Sequence, residues 1–205
     1  MVERNNLIRI GIIFLALFSY ITASVPAMSY EEPKFTIIKK TDVYEVRRYE
    51  RRTVAEVIYG DEDSGFRVLF DYISGANKGI QEIQMTVPVT QSKKIDMTAP
   101  VTQSENNGQM VMSFFLPSQY SNQNAPNTTD KRIQIIDLAE EYFAVISYSG
   151  FASDSNFIKH HEELKTAMEK DGLIAIGPPL KATFNSPFTP PFLRRNEAMY
   201  PLKWD

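Results

Sequence analysis

The only imidazoles in this 205-residue chain are adjacent, His160 and His161, and the chain has no cysteine. The missing thiols exclude disulfides, cysteine zinc sites, iron–sulfur clusters and thiolate nucleophiles. Consecutive helical side chains diverge by about 100°, so the two histidines cannot grip one metal from the same face. One of them can serve as an axial ligand; the alternative is a histidine hydrogen-bonded between a helix and a sheet. Met85, Met97, Met110, Met112 and Met168 offer thioethers, either as ligands or as pliable core fillers. Glu140-Glu141 and Glu162-Glu163 are neighbours in sequence, point apart, and read as solvated charge rather than as an acid/base couple. Arg194-Arg195-Asn196-Glu197 follows a proline-aromatic turn. Two guanidiniums there can hold the carboxylates of a ligand or tie the last strand down by ion pairs. No HExxH, no glycine-rich phosphate loop and no Ser-His-Asp order is present.

Which elements position these groups? Phe35–Lys40, Val43–Tyr49 and Thr53–Tyr59 read as strands, the third apolar on both faces and therefore central. A helix capped by Asp63 or Ser64 follows and stops at Gly75. Its Phe66, Leu69, Phe70 and Ile73 fall at i, i+3, i+4 and i+7, one apolar stripe. Val68 and Tyr72 widen that surface, so one part covers the sheet and another is left for a second contact or a ligand. Residues 83–92 (IQMTVPVTQS) and 95–104 (IDMTAPVTQS) match at eight of ten positions, offset by 12. They read as two short strands, each ended by its proline. Strands over 110–116, 132–138 and 142–148 follow, with a long polar loop over 118–131. A second helix spans about 155–170, capped by Asp154 or Ser155, with His161 on its apolar line and His160 at the edge. Strands 180–185 and 196–203 flank the proline-rich turn. Strands, helix, strands, twice over, imply an α+β fold of two similar halves: a curved or barrel-like sheet with both helices packed outside.

The N-terminus is a separate matter. Arg4 and Arg9 precede a 14-residue apolar run, Ile10–Ala23, and then Ser24-Val25-Pro26-Ala27. That run is shorter than the roughly 20 residues of a spanning helix and fits a secretory signal cleaved near Ala27. The alternative is an uncleaved anchor over Leu7–Val25, and in both cases the remainder is exported, to the periplasm or the exterior. Arg4, Arg9 and Glu3 leave with residues 1–27, which takes the net charge from −3 to −4. Scattered basic pairs on an acidic chain argue against nucleic acid as a partner.

Several of these segments together resemble one family. Tyr44-Glu45-Val46-Arg47-Arg48-Tyr49, Gly65-Phe66 through Tyr72-Ile73-Ser74-Gly75-Ala76-Asn77, Ile95-Asp96-Met97-Thr98-Ala99-Pro100-Val101, Phe114-Phe115-Leu116-Pro117 and Arg194-Arg195-Asn196-Glu197 occur in the order of the SOUL haem-binding proteins. The resemblance covers about residues 33–205 and is closest to exported, bacterial-type members. It implies a distorted antiparallel β-barrel of two halves, related in shape to bacterial effector-binding domains. It also implies non-covalent, non-enzymatic binding of haem or another tetrapyrrole in an apolar groove beside the first helix. The matching positions are Phe66, Leu69, Phe70 and Ile73, with Arg67 and Arg194 as propionate partners by position and charge. The ligand histidine of some members precedes the first helix, whereas this chain has no histidine before His160. Iron ligation by that route is therefore absent, which leaves apolar contact or His161 from the second helix. Alternatives are an enzyme that removes metal from a tetrapyrrole, and a module for another amphipathic small molecule.

Overall fold

The computed structural model describes residues 30–60, 65–93 and 110–204. The N-terminal run, the expected cap at Asp63 or Ser64, Met97 and the second repeat unit lie outside them. The described elements are β1 (Phe35–Lys40), β2 (Glu45–Tyr49), β3 (Arg52–Tyr59), α1 (Gly65–Ile73), β4 (Val89–Lys93), β5 (Met110–Phe115), β6 (Ile133–Leu138), β7 (Glu141–Tyr148), α2 (Asp154–Lys170), β8 (Leu180–Thr183) and β9 (Asn196–Leu202). All strand pairs are antiparallel, in the order β1-β2-β7-β9-β8-β4-β5-β3-β6.

That order contains a repeat. β7-α2-β8-β9 stands to its neighbour β2 as β3-α1-β4-β5 stands to β6, and the halves meet at β8 and β4. The fold is therefore α+β, one curled antiparallel sheet with two helices. Following the register across the sheet places α1 and α2 on the same face. α2 covers Val46, Ala144, Ile146, Ala198 and Tyr200 with Leu164 and Met168. α1 covers Ala55, Val57, Met112 and Phe114 with Leu69, Tyr72 and Ile73. Each fully buried aliphatic side chain of this kind contributes about 1.5–3 kcal/mol. The concave face carries a third, smaller cluster, with Tyr49, Phe143, Val145, Phe184 and Met199 at its centre.

Both helices end where the chain permits a left-handed turn. Gly75 (φ +106°) follows α1, and Asn77 donates its side-chain amide to the carbonyls of Tyr72 and Gln81 at 2.9 and 2.7 Å. Gly172 (φ +74°) follows α2, and the Leu173 amide returns to the Met168 carbonyl at 2.9 Å. The α2 cap is Ser153, one residue earlier than the sequence suggested, and its hydroxyl accepts from the Asn156 amide. At the start of α1, Gly65 lies so close to the Tyr59 ring that a Cβ would come within 2.7 Å of it.

One element departs from expectation. The first repeat unit does not form a strand that ends at Pro88; the strand begins after it, at Val89. Proline lacks a ladder donor and is tolerated at a strand entrance. The stretch before it is instead tied down singly: Ile83 N–H to the Ile73 carbonyl at 2.7 Å, the Thr86 hydroxyl to the Phe115 carbonyl, and Val87 N–H to the Glu31 carbonyl at 3.0 Å. Among the described residues no helix is long and apolar enough to cross a membrane.

Candidate functional site

On α1 the apolar stripe divides lengthwise. Leu69 (0% exposed) and Ile73 (4%) point into the core, while Phe66 (42%) and Phe70 (44%) lie on its solvent shoulder. The burial direction centres on Leu69, and Phe66 and Phe70 follow one helical turn apart along its flank. Their rings stack at 5.8 Å and 13°, and Phe66 meets Phe114 edge-on at 5.3 Å. The outcome is a half-exposed aromatic pair whose base is fixed to the sheet. Arg67 is exposed on the solvent side of the same helix.

The other expected site residues sit on the α2 half. The His161 ring lies 5.0 Å from Phe157, and its Nδ1 is 3.1 Å from the Tyr200 hydroxyl. Burial lowers its pKa, opposed only in part by Glu162. His160 stacks on Tyr148 at 4.1 Å and 4°. Its Nδ1–H donates to the Asn156 carbonyl at 2.7 Å. Both histidines thus pack at the α2–sheet interface. Arg194 donates to the carbonyls of Thr189 (2.7 Å) and Pro187 (2.5 Å) and lies over the Phe151 ring. The structure therefore brings Phe66, Arg67 and Phe70 together and keeps Arg194 and His161 with the other half.

Glu197 is wholly buried and anchors an ion network on the concave face. Arg47 Nη1 reaches both of its oxygens at 3.1 Å, Arg195 Nε donates at 3.0 Å, and the Ser147 hydroxyl at 3.0 Å. Burial is the largest single influence and opposes the charge on Arg47, but Glu197 and Tyr49 together outweigh it and the guanidinium pKa rises. Arg195 also pairs with Glu32 at 3.0 Å. The cluster ties the last strand to β2, β7 and the N-terminal arm.

The sequence reading passed over a second feature. Where the halves meet, the concave face holds a cleft of about 200 Å³. Its walls include Val54, Val111, Phe115, Phe143, Leu180 and Pro201, and its polar groups include Glu56, Thr90 and Ser113. The Ser113 hydroxyl donates to Glu56 at 3.1 Å, and among the described residues no cation pairs with that carboxylate. At one end Arg52 donates to Glu141 at 2.7 Å, ringed by Tyr49, Phe115 and Phe143 at 5.1–5.9 Å. Among the described residues its buried Nε–H has no acceptor. The available signal was Glu56 itself, a lone acid within the apolar run Val54–Tyr59 of the central strand. A broader depression of about 420 Å³ beside the N-terminal arm mixes both charges, including Glu31, Lys34, Arg51 and Asp137. Among the described residues no group of three or more His, Asp or Glu is placed to hold a metal ion.

Comparison with known proteins separates fold from family. Among curated proteins none matches this chain significantly. The EcmrR C-terminal domain superposes with a TM-score of 0.57 at 12% identity, over 79% of this chain and 99% of that one. An uncharacterized conserved protein from Listeria innocua gives 0.53 at 12% identity, over 86% and 94%. A hydrolase from Listeria innocua gives 0.50 at 12%, over 86% and 94%. Likeness at that identity concerns the fold alone. The sequence model of the SOUL heme-binding protein family, in contrast, matches residues 30–201. That family is described by its binding of haem. This chain belongs to the SOUL heme-binding protein family.

Proposed function

We propose that the protein binds haem or a related tetrapyrrole without transforming it, as a carrier or buffer outside the cytoplasm. The observation that carries this reading is the stacked Phe66–Phe70 pair, exposed on α1 of a SOUL-family chain. A planar macrocycle laid against the exposed Phe66–Phe70 pair buries apolar area worth about 25 cal/mol per Å², enough over several hundred Å² to offset association costs without an axial bond. Arg67 lies beside Phe70 on the helix and supplies a cation for a propionate. Leu69 and Ile73 act from beneath, fixing the helix that presents the rings. The basic start, apolar run and small-residue exit of residues 1–27 support export, and the acidic balance of the rest supports a small-molecule partner over nucleic acid.

Titration with haemin tests the reading: a Soret shift saturating near one equivalent is expected, and a flat response at micromolar protein overturns it. Incubation with a metallated chlorin separates carrier from enzyme, since conversion beyond one equivalent means turnover.

The cleft supports a second reading, a module for a small amphipathic cation. Its apolar walls surround the half-buried Glu56 carboxylate, which has no cationic partner among the described residues, and an anion so placed favours a ligand that brings the opposite charge. At about 200 Å³ it is smaller than the roughly 300–1,000 Å³ of drug-sized sites, which suits a compact amine.

A further inference from the structure

Between β8 and β9 the sequence Ser186-Pro187-Phe188-Thr189-Pro190-Pro191-Phe192-Leu193 forms a loop that presents its largest apolar groups to solvent. Phe188 is 95% exposed, Phe192 76% and Leu193 63%, with Phe151 (63%) held alongside. Nothing about the loop is slack. Arg194 clamps the carbonyls of Pro187 and Thr189, while Thr189 N–H returns to Ser186 and Leu193 N–H to Pro190. The Pro191 carbonyl accepts from both Arg194 N–H and Gly150 N–H. Phe188 N–H donates to the Ser186 hydroxyl, and three prolines have no N–H to satisfy.

We propose that this loop inserts Phe188, Phe192 and Leu193 into the interfacial layer of a lipid bilayer. A backbone that satisfies most of its own polar groups is what the edge of hydrocarbon tolerates, because lipid tails offer no donor or acceptor. A protein partner gains no such advantage from it, since few backbone groups are left to bond. The Arg194 and Arg195 guanidiniums at the base are held by the loop carbonyls and by Glu197 and Glu32, so the insertion rests on the apolar groups alone. The rest of the chain supplies the bilayer's direction. Arg195 holds Glu32 at 3.0 Å, so the N-terminal arm enters the fold at the base of this loop. Only six residues, Ser24–Ser29, separate Tyr30 from the apolar run Ile10–Ala23. Where that run is kept as an anchor, the chain enters the fold on the side that carries the aromatic tip. The proposal does not rest on the tetrapyrrole reading.

The absence of cysteine makes the test clean, since a single introduced thiol takes a unique label. The full-length chain with Phe188→Cys carries an environment-sensitive fluorophore and is mixed with phosphatidylcholine vesicles containing doxyl lipid. Asn122→Cys, in an exposed loop of the other half, is the control. A blue shift with doxyl quenching at position 188 and neither at 122 is the expected result. A solvent-like label at 188 on vesicle-bound protein overturns the proposal, as does failure of the chain to float with vesicles. A label at Leu193→Cys gives the second arm: adding Phe188→Ser and Phe192→Ser, with an unchanged circular dichroism spectrum, removes its quenching. Retained quenching there also overturns the proposal.

Discussion

Glu56 and Glu197 occupy one row of facing residues across the concave sheet, each paired with the serine opposite it, Ser113 at 3.1 Å and Ser147 at 3.0 Å. The repeat exchanges the roles: in one half the acid is on the strand before the helix and the serine on the last strand, in the other the reverse. Two arginines neutralise Glu197, whereas among the described residues none reaches Glu56. One pair holds the fold together, and its counterpart faces a cleft.

Glu197→Gln leaves Arg47 buried beside a neutral amide. Glu45 still pairs with Arg47 at 2.9 Å, so part of its charge stays compensated. Removing one member of a buried pair typically costs about 3–5 kcal/mol, and a loss of about 3 kcal/mol is expected from urea unfolding. A variant within about 0.5 kcal/mol of the parent contradicts the network.

Glu56→Gln separates the two proposed sites. Its carboxylate has one neutral donor, so stability changes by about 1 kcal/mol or less. Binding of a small hydrophobic amine, followed by calorimetry, falls at least about tenfold if the cleft takes cations. Haemin affinity is unaltered if the tetrapyrrole sits on α1.

The split stripe on α1 gives a contrasting pair. Phe66→Ala with Phe70→Ala costs about 1–2 kcal/mol, since the rings contact Phe114 and one another but are half exposed. Haemin affinity drops at least about tenfold, as expected from the lost apolar contact. Leu69→Ala costs about 2–5 kcal/mol through a cavity in the core. Parallel titrations and urea melts check both halves of the statement.

Gly65→Ala pushes a methyl against the Tyr59 ring, whose hydroxyl accepts from Gln91 at 2.6 Å. Overpacking of this kind costs about 1–3 kcal/mol, read as a lower thermal midpoint.

His161 makes stability depend on pH. Its folded pKa lies below the ordinary value of 6.5 because burial disfavours the imidazolium. The unfolded chain therefore takes up its proton first as pH falls, so this contribution is present above about 6.5 and is lost below it, down to the lower folded pKa. His161→Gln removes that part of the slope, and thermal melts from pH 7.5 to 5 should fall less steeply than in the parent.

Local physics made much of the fold legible. The strands around Val46, Val57 and Val145, both helices and the glycine stops follow from periodicity and turn chemistry, and β3 is central as its two apolar faces implied. The strand at Pro88 was misplaced because tertiary bonds to Glu31, Ile73 and Phe115 hold the segment before it. On α1 the stripe was visible, but its division into Leu69 and Ile73 inside, Phe66 and Phe70 outside, depends on where the sheet meets the helix. Arg47 and Glu197 are 150 positions apart, and no local pattern joins them. Glu56 was visible in sequence and had no meaning until the second half closed over it.

The halves share one short ladder, Val89 with Thr183, Thr90 with Ala182 and Gln91 with Lys181. Within each half the helix and its strands share a separate core, so cooperativity within a half exceeds that across the join. The molecule should therefore behave as two folding units joined by these three residue pairs and by Arg52, which reaches Glu141, Tyr49 and Phe143 across the cleft. Native-state hydrogen exchange would read this directly: amides of the join open well before those of β3 or β9, and a ligand lodged in the cleft closes the gap between them.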